Sequence, residues 1–185
     1  AIKTVNYKPI TDNAAAVVAF EAGELDYYSL TSAASFDQLK ANPKYKSEVI
    51  AANHITFLCI DANVQGPMSN KLVRQAIAYS IDKNAMNQAA FNGLGTVADF
   101  MENPTYNYAS PTKGIVYNYD PEKAKALLKE AGYPDGCDIG TLLGFTGSHF
   151  EKCAQITEAY LAQVGIKCKI EWTEQAAAIA RWNAP

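Results

Sequence analysis

DPEKAKALLKEAGYPDG, residues 120–136, has the features of a complete helix with both of its ends. Asp120 can accept hydrogen bonds from the free amides of the first turn, and Pro121 follows where no N–H is needed. Gly132 supplies a left-handed stop at the other end. The apolar side chains that would face the core are Leu127, Leu128 and Ala131. This segment therefore predicts a capped, amphipathic helix.

LAQVGIKCKIEW, residues 161–172, predicts the end of a second helix followed by a strand. Alternate side chains of a strand point to opposite faces. One face of residues 166–172 would carry Ile166, Cys168, Ile170 and Trp172, and the other Lys167, Lys169 and Glu171. A strand over residues 139–143 and a helix over residues 150–164 complete a βαβ unit, which should cross over right-handed. The predicted fold class is α/β.

The rest of the chain alternates between further helix and strand signals. Helices are predicted where a capping residue precedes an apolar run with a 3.6-residue period. The first follows Asp12 or Asn13 and ends at Gly23, and the second follows a capping box at Ser35. The third follows Ser69 or Asn70, and the fourth follows Asp82 and ends near Phe91. Strands are predicted over residues 4–8, 26–30, 49–52 and 55–60. Residues 96–119 show no period and predict a long irregular segment.

Composition excludes several classes of protein. The 185 residues contain 16 Lys and Arg against 19 Asp and Glu, with no basic run, so no nucleic-acid partner is expected. No apolar run approaches the roughly 18–20 residues of a membrane span. The start, Ala1-Ile2-Lys3, has neither an initiator Met nor the apolar core of a signal peptide. We therefore expect the chain to be part of a longer protein.

The four cysteines form no C-x-x-C pair. Cys153 and Cys168 lie on apolar faces of a predicted helix and strand, and Cys59 lies in a predicted apolar strand. We expect these three to be small buried hydrophobic residues, because free cysteine is among the most buried residue types. A disulfide that involves Cys137 stays open at this point.

Four motifs occur in the order and at the spacing of one protein family. AFEAGELD (residues 19–26) is similar to a helix-end GE-x-D signature, and VRQAIAYSIDK (residues 73–83) to the helix pair VRQALxYAIDR. FNGLGT (residues 91–96) is similar to the turn after that pair, and residues 120–172 supply the fourth motif. On these residues the chain resembles the family-5 extracellular solute-binding proteins of ABC importers, which carry peptides, nickel or sugars.

The resemblance implies a periplasmic-binding-protein-like lobe of type II, with a mixed sheet flanked by helices. Residues 1–185 would form a single lobe, the C-terminal one, of a larger protein whose two lobes close on a ligand. The implied function is capture of a small solute, with a peptide as first candidate, for import. The implied partners are that solute, the missing N-terminal lobe and an ABC permease. The implied location is extracellular or periplasmic, with a lipoprotein anchor outside these residues, and neither a cofactor nor an enzymatic activity is implied.

The signature residues of these motifs have a structural interpretation. Arg74 and Asp82 are eight residues apart and fit helix-surface or capping roles better than ligand contacts. Glu24 and Asp26 flank a predicted strand start and fit a solvated turn. We therefore expect the motifs to identify the fold and to perform no chemistry.

In α/β sheets, ligands gather at the carboxyl ends of the strands. The turn after residues 139–143 leads into the helix from Phe150, whose free amides favour a polar or anionic group. The ligand-binding residues predicted from this placement are Phe145, Thr146, Ser148 and His149, together with Ser32 after the strand over residues 26–30. Phe145 can stack on a ligand, whereas Ser148 has helix capping as its alternative role. Dipeptide-binding members of the family place an arginine near this turn, and its absence here argues against a dipeptide.

Two rival functions start from other residues. His149 and Cys153 are spaced i, i+4 and can form half of a metal site, with His54 and Cys59 as its second half. The same His149 and Cys153 can instead form the Cys–His pair of a hydrolase. Against this, residues five apart in a strand face opposite sides, and an expected buried Cys153 is a poor nucleophile. The other rival is an interaction domain whose irregular segment covers a partner with Tyr106, Tyr108, Tyr117 and Tyr119. We expect that segment to pack on its own protein instead.

Overall fold

The computed structural model describes residues 2–29, 33–50, 55–99, 114–146 and 149–182. Its helices are α1 (Asn13–Glu21), α2 (Ala33–Lys40), α3 (Lys71–Ser80), α4 (Lys83–Phe91), α5 (Pro121–Glu130), α6 (His149–Gln163) and α7 (Gln175–Trp182), with a short 3₁₀ helix at Pro67–Ser69. Its strands are β1 (Cys137–Phe145) and β2 (Ile166–Thr173). The chain divides into two compact units, the N-terminal unit (residues 1–49) and the C-terminal unit (residues 50–185). The single lobe expected over residues 1–185 stays a prediction.

Short polar side chains begin four of the helices, as the sequence predicts. Asp12 accepts from the Ala15 amide at 2.7 Å at the start of α1. The other N-caps are Asn70 of α3, Asp82 of α4 and Asp120 of α5. Each accepts a hydrogen bond from an amide of the first turn, which would otherwise have no partner. Helix α2 is different, because it begins at Ala33, two residues before the predicted capping box at Ser35.

The predicted βαβ unit is present. Strands β1 and β2 are parallel neighbours, and α6 connects them. Their register runs from Cys137 opposite Ile166 to Phe145 opposite Thr173, with one irregularity between Asp138 and Thr141. Parallel strands require a long crossover, and α6 supplies it. Both strands therefore end at the same edge of the sheet. The right-handed sense of the crossover stays a prediction.

The core of the C-terminal unit forms where α3, α5 and α6 pack with the two strands. Its largest fully buried apolar side chains are Val73, Ile77, Leu128, Leu161 and Ile166. On β2, exposure rises from Ile166 to Trp172 along the apolar face, whereas the three charged residues of the opposite face are exposed. The sequence pattern therefore assigned the correct face of β2 to the core.

Two glycine turns meet at the start of the sheet. Gly136 precedes β1 with φ +90°, and Gly165 precedes β2 with φ +88°. The Cys137 amide donates to the Gly165 carbonyl at 3.2 Å, which opens the pairing of the two strands. A Cβ on Gly136 would lie 2.0 Å from the Gly165 carbonyl oxygen. Only glycine fits here, because both the backbone conformation and the space exclude a side chain.

The strand predictions outside the βαβ unit are wrong wherever the structure describes those residues. Residues 4–8, 26–29, 49–50 and 55–60 are all non-helical and unpaired as strands, and residues 30 and 51–54 lie outside the described ranges. The physical reason is the absence of a partner, since none of these described segments forms a ladder with another described segment. An alternating pattern stabilises a strand only where a second strand can accept its hydrogen bonds.

The irregular segment packs in part on its own unit. The Tyr117 ring lies 5.1 Å from Tyr79 of α3, and the Tyr119 ring lies 5.6 Å from Tyr160 of α6, each as an edge-to-face pair. Tyr106 and Tyr108 lie outside the described residues. Within the described part of the chain, no helix combines the length and apolar character needed to cross a bilayer.

Candidate functional site

The candidate site lies where the two parallel strands end and α6 begins. Phe145 is the last residue of β1, and Thr146 follows it in a turn. The Thr146 amide donates to the Thr173 carbonyl at 3.5 Å, so this turn is attached to the end of β2. His149 then opens α6. Three of the five predicted ligand-binding residues are therefore adjacent at one edge of the sheet, as the sequence predicts.

The other two predicted residues have no described position. Ser148 and Ser32 both lie outside the described residues. The reason for choosing Ser32 also fails in part, because residues 26–29 form no strand whose end could present it. Ligand binding by Ser32, Ser148 and the three described residues stays a prediction.

Four rings form a continuous row at this edge, which we call the aromatic cluster: Phe91, Phe145, His149 and Phe150. The His149 ring centroid lies 4.1 Å from Phe150 and 5.0 Å from Phe91. Phe150 in turn meets Phe145 edge-to-face at 5.4 Å. All four side chains are half-buried. The cluster joins the end of α4, the end of β1 and the start of α6, so it holds the turn at residue 146 against two helices.

Half-buried aromatic rings leave part of their surface available to a solute. Phe145 makes one edge-to-face contact with Phe150, and Thr146 is exposed. This edge can offer apolar ring surface and the polar side chain of the exposed Thr146. Such a mixture of ring surface and a few polar groups is typical of small-molecule sites.

Trp172 also belongs to this edge, and it was not among the predicted residues. Trp172 lies opposite Gly144 in the register of the two strands. A Cβ on Gly144 would lie 2.6 Å from the Trp172 ring, so the indole ring lies directly against the bare backbone of β1. Although the alternation of β2 places Trp172 on the core face, it remains 40% exposed. A large aromatic residue at the end of a strand, opposite a glycine, was the signal that could have identified it.

Phe91 and Phe150 were also missed as parts of the site. Each is an apolar residue at a helix end, where the local sequence indicates only a helix boundary. Their contacts with His149 depend on the packing of α4 against α6, which no local pattern shows.

Among the described residues, the geometry does not favour the metal and hydrolase hypotheses. No cluster of three or more His, Cys, Asp or Glu side chains that could hold a metal occurs among the described residues, and His54 lies outside them. Cys153 is buried, and loss of solvation raises the pKa of its thiol. The protonated thiol is therefore favoured, which is the opposite of an activated nucleophile.

The remaining cysteines answer one open question, about Cys137, and correct one expectation, about Cys59. All four are free thiols, so Cys137 forms no disulfide. Cys137 is buried and Cys168 is half-buried, and burial raises the pKa of both thiols. Cys59 is exposed, contrary to the expectation, because residues 55–60 form no strand that could bury it.

The motif residues have the structural roles predicted for them. The Arg74 guanidinium donates to the carbonyls of Met68 and Ser69, both at 2.8 Å, and so holds the chain ahead of α3. Asp82 accepts from two amides of the first turn of α4. These side chains are engaged in the fold and lie on elements other than β1 and β2.

An open groove runs along the other end of the βαβ unit. It has a volume of about 380 Å³ and lies between α6 and the start of β2. Its lining includes Glu158 and Lys167 but no histidine and no group of carboxylates. It therefore offers no constellation for acid–base or metal chemistry.

Comparison with known proteins places the chain in a family. The profile described as "Bacterial extracellular solute-binding proteins, family 5 Middle" matches residues 1–184. The glutathione-binding protein GsiB of Salmonella choleraesuis (strain SC-B67) is 34% identical over 171 residues, which cover 91% of this chain and 32% of that protein. The chain thus spans about a third of the length of the curated relatives that it matches.

Solved structures agree with the predicted fold. NikA from Brucella suis, in complex with Fe(III)-EDTA, superposes with a TM-score of 0.78 at 27% identity. The superposed region covers 93% of this chain and 37% of the NikA chain. A dipeptide-binding protein from Pseudoalteromonas sp. SM9913, in complex with Met-Leu, superposes with a TM-score of 0.79 at 25% identity. The superposed region covers 93% of this chain and 34% of that protein's chain. The α/β fold of a type II periplasmic-binding-protein lobe is therefore confirmed. The chain belongs to the bacterial extracellular solute-binding proteins of family 5.

Proposed function

We propose that this chain is part of a solute-binding protein that captures a small solute outside the cell and delivers it to an ABC permease. Family membership across residues 1–184 is the observation that carries the proposal. A peptide is the first candidate for the solute, because the similar proteins named above include one that binds glutathione and one in complex with Met-Leu. Both of those ligands are short peptides.

The mechanism that we propose is closure of two lobes around the solute. Contacts in both walls stabilise the closed state relative to the open state by more than either wall alone can. The chain spans only about a third of its relatives, so the second wall lies in polypeptide outside these residues. We also place there the lipid anchor that would hold the protein at the membrane.

We propose that the aromatic cluster edge is this chain's contribution to the solute site. Phe145, Thr146 and His149 carry the proposal, with Ser148 and Ser32 as further candidates and Trp172 as an addition. Support comes from the half-buried rings and the exposed residue Thr146 at the carboxyl end of both strands. The site would bind by ring contact and hydrogen bonds, without a cofactor and without catalysis.

Isothermal titration calorimetry tests the capture mechanism. The probes are glutathione and the dipeptide Met-Leu, each titrated into the full-length protein and into the 185-residue chain. We expect a peptide to bind the full-length protein. We expect neither the full-length protein nor the 185-residue chain to convert the peptide into a product. We expect the 185-residue chain to bind at least roughly a hundredfold more weakly, because it lacks the second wall. Equal micromolar binding by the short chain would contradict closure.

A pair of variants in the full-length protein tests the site. Phe145→Ala removes a ring of the aromatic cluster, and Leu142→Ala, half-buried in the same strand, is the matched control. We expect Phe145→Ala to weaken solute binding roughly tenfold, the value of one lost aromatic contact, and the control to leave it unchanged. Equal effects of the two variants would mean that Phe145 only supports the strand.

Thiol labelling tests the hypothesis that the protein binds its solute without catalysis. In the folded chain we expect Cys59 to react with an alkylating reagent at pH 7 before Cys153, since Cys59 is exposed and Cys153 is buried with a raised pKa. The rate at Cys153 should rise as the pH increases. Fast labelling of Cys153 at pH 7 would favour the hydrolase hypothesis instead. Stoichiometric zinc by elemental analysis would favour the metal-site hypothesis.

A further inference from the structure

One edge of β2 carries backbone groups that no described residue pairs with. Strand β1 covers the other edge, where the Gly165 carbonyl accepts from the Cys137 amide and the Thr173 carbonyl accepts from the Thr146 amide. The N–H and C=O groups of successive strand residues point alternately to the two sides. The odd-numbered residues of β2 therefore face β1, and the even-numbered residues direct their N–H and C=O groups to the opposite side, which we call the outer edge. The sheet that the described residues form has no third strand at this edge.

The open groove of about 380 Å³ lies between α6 and the start of β2. Its helix wall extends over residues 155–162 and its strand wall over residues 166–168. The helix wall is about 10 Å long at 1.5 Å per residue, which equals about three residues of an extended segment. Ala159 and Ala162 on this wall are exposed and too small to fill the groove. The groove therefore has space for the side chains of a strand added to β2.

The face of β2 that points away from α6 carries positive charge. Lys167 and Lys169 are exposed there, and neither forms an ion pair with a described residue. Glu171 on the same face is already bound to the Arg181 guanidinium at 2.6 Å. Asp138, opposite Lys167 on β1, accepts a hydrogen bond from a backbone amide two residues further on. The two lysines are therefore available to carboxylates of an added strand, since opposite charges on neighbouring strands attract.

The two faces of an added strand would meet different surroundings. Alternate side chains would lie beside Lys167 and Lys169, and the others would enter the groove beneath α6. The groove wall carries the half-buried Glu158, which repels a second carboxylate. The edge therefore favours a segment that is acidic on one face and uncharged, small or apolar on the other.

We propose that an extended, acidic segment of a partner protein adds to the outer edge of β2 as a third strand. Its main-chain groups pair with the even-numbered residues of β2, and its acidic side chains lie beside Lys167 and Lys169. The groove adjoins the start of β2, whereas the candidate solute site lies at the carboxyl ends of both strands. The partner therefore binds at the opposite end of the βαβ unit from the solute, and its binding does not depend on which solute is captured.

Fluorescence anisotropy with the full-length protein tests this docking surface. The probe is a labelled peptide of about eight residues that alternates valine and aspartate, and the control peptide alternates valine and lysine. Both peptides are capped at both ends, so that they resemble an internal segment of a protein and differ from a free peptide solute. We expect the aspartate peptide to bind about tenfold more tightly, because its charges attract the two lysines and those of the control repel them. Excess glutathione and Met-Leu should not displace it.

Charge-reversal variants of the full-length protein locate the bound peptide. The double variant Lys167→Glu/Lys169→Glu should weaken binding of the aspartate peptide about tenfold or more. The matched control is Lys71→Glu/Lys129→Glu, which changes the net charge equally at exposed positions of α3 and α5 and should leave the affinity unchanged. Equal losses in the two double variants would show that only the overall charge attracts the peptide.

A second pair of variants tests the groove. Ala162→Phe places a ring in the groove from the helix side and should weaken binding about tenfold or more, because the side chains of the added strand lose their space. Ala126→Phe adds the same ring at an exposed position of α5 and should have no effect. Equal affinities for the two variants would contradict seating of the peptide beneath α6.

Hydrogen exchange with mass spectrometry gives the backbone measurement. In the full-length protein, peptides that cover residues 166–170 should exchange about tenfold more slowly when the aspartate peptide is bound, and those from α3 should not change. No binding of the aspartate peptide, or equal binding of the two peptides, would overturn the proposal. Full protection of residues 166–170 without any added peptide would do so too, because the outer edge would then be paired within the protein. Displacement by Met-Leu would assign the peptide to the solute site instead.

Discussion

The two units of this chain begin helices equally well but differ in what packs against them. Asp12 caps α1 and Asp120 caps α5 with hydrogen bonds of 2.7 and 2.9 Å. Yet α5 belongs to a core of large buried side chains, whereas α1 buries two alanines and a valine. A cap requires only the next three residues, whereas a core requires partners from distant segments. Capping signals therefore predict a helix start in both units. They do not predict how much apolar surface each helix buries.

The same contrast separates two strand-like segments. Residues 4–8 and β2 both alternate apolar and polar side chains. Strand β2 forms because α6 brings β1 alongside it in parallel register. Residues 4–8 have the pattern without a described partner, and they form no strand. Alternation thus predicts that a segment can be a strand, and the partner decides whether it is one.

A pair of leucines tests the difference between the units most strongly. Leu128 in the C-terminal unit and Leu39 in the N-terminal unit are both 2% exposed. We expect Leu128→Ala to lower the free energy of unfolding by about 2–5 kcal/mol in urea titrations of the chain, since it leaves a cavity in the main core. Leu39→Ala should leave that transition unchanged. If both variants lowered it equally, the two units would share one cooperative core.

A glycine pair sharpens the comparison within the C-terminal unit. Gly136 and Gly132 both have a positive φ, of +90° and +92°, but only Gly136 faces backbone atoms within contact distance. We expect Gly136→Ala to lower the free energy of unfolding by about 1–3 kcal/mol, from strain and from the clash with Gly165. Gly132→Ala should cost about 1–2 kcal/mol from conformation alone. Equal losses would mean that the contact between the two turns relaxes freely.

The helix caps give the next smaller effect. Asp82→Ala removes hydrogen bonds to two amides of α4 and should lower the free energy of unfolding of the chain by about 0.5–2 kcal/mol. Asp82→Ser should recover most of this loss. Asp12→Ala removes the equivalent bond in α1, and its effect should be confined to faster hydrogen exchange of that helix. A global loss from Asp12→Ala would show that the N-terminal unit folds together with the rest.

The smallest effect is expected at an ion pair of the N-terminal unit. The Lys8 ammonium lies 2.7 Å from Glu24 and, by hydrogen bonding and charge, lowers the pKa of that carboxyl. The stabilisation is present above the ordinary pKa of glutamate and is lost as the pH falls through the lowered value. Because the pair is exposed and screened, Glu24→Gln should not measurably change the urea midpoint at pH 7. Lys8→Met should raise the Glu24 pKa in an NMR titration, and an unchanged pKa would contradict the pairing.

The βαβ unit and four helix caps were predictable because each depends on residues that are close in sequence. Asp120 and Lys123 are three apart, and β1, α6 and β2 follow one another with short turns. The candidate edge was predictable for the same reason, since Phe145, Thr146 and His149 surround one turn. The solute contacts of these residues remain proposals. The wrong predictions, at residues 4–8 and 55–60, concern segments that need a distant partner.

The sequence by itself determined the capped starts of four helices, which face of β2 is apolar, and the family to which the chain belongs. The start of α2 and the whole of α7 were not determined in this way. Only the tertiary structure decided that Phe91 joins His149, that Trp172 lies against Gly144, and that Cys59 is exposed. Caps and periodicity act over one or two turns of the backbone, so their energies are set by neighbouring residues. Contacts between remote segments depend on which elements pack together, and no local pattern specifies that packing.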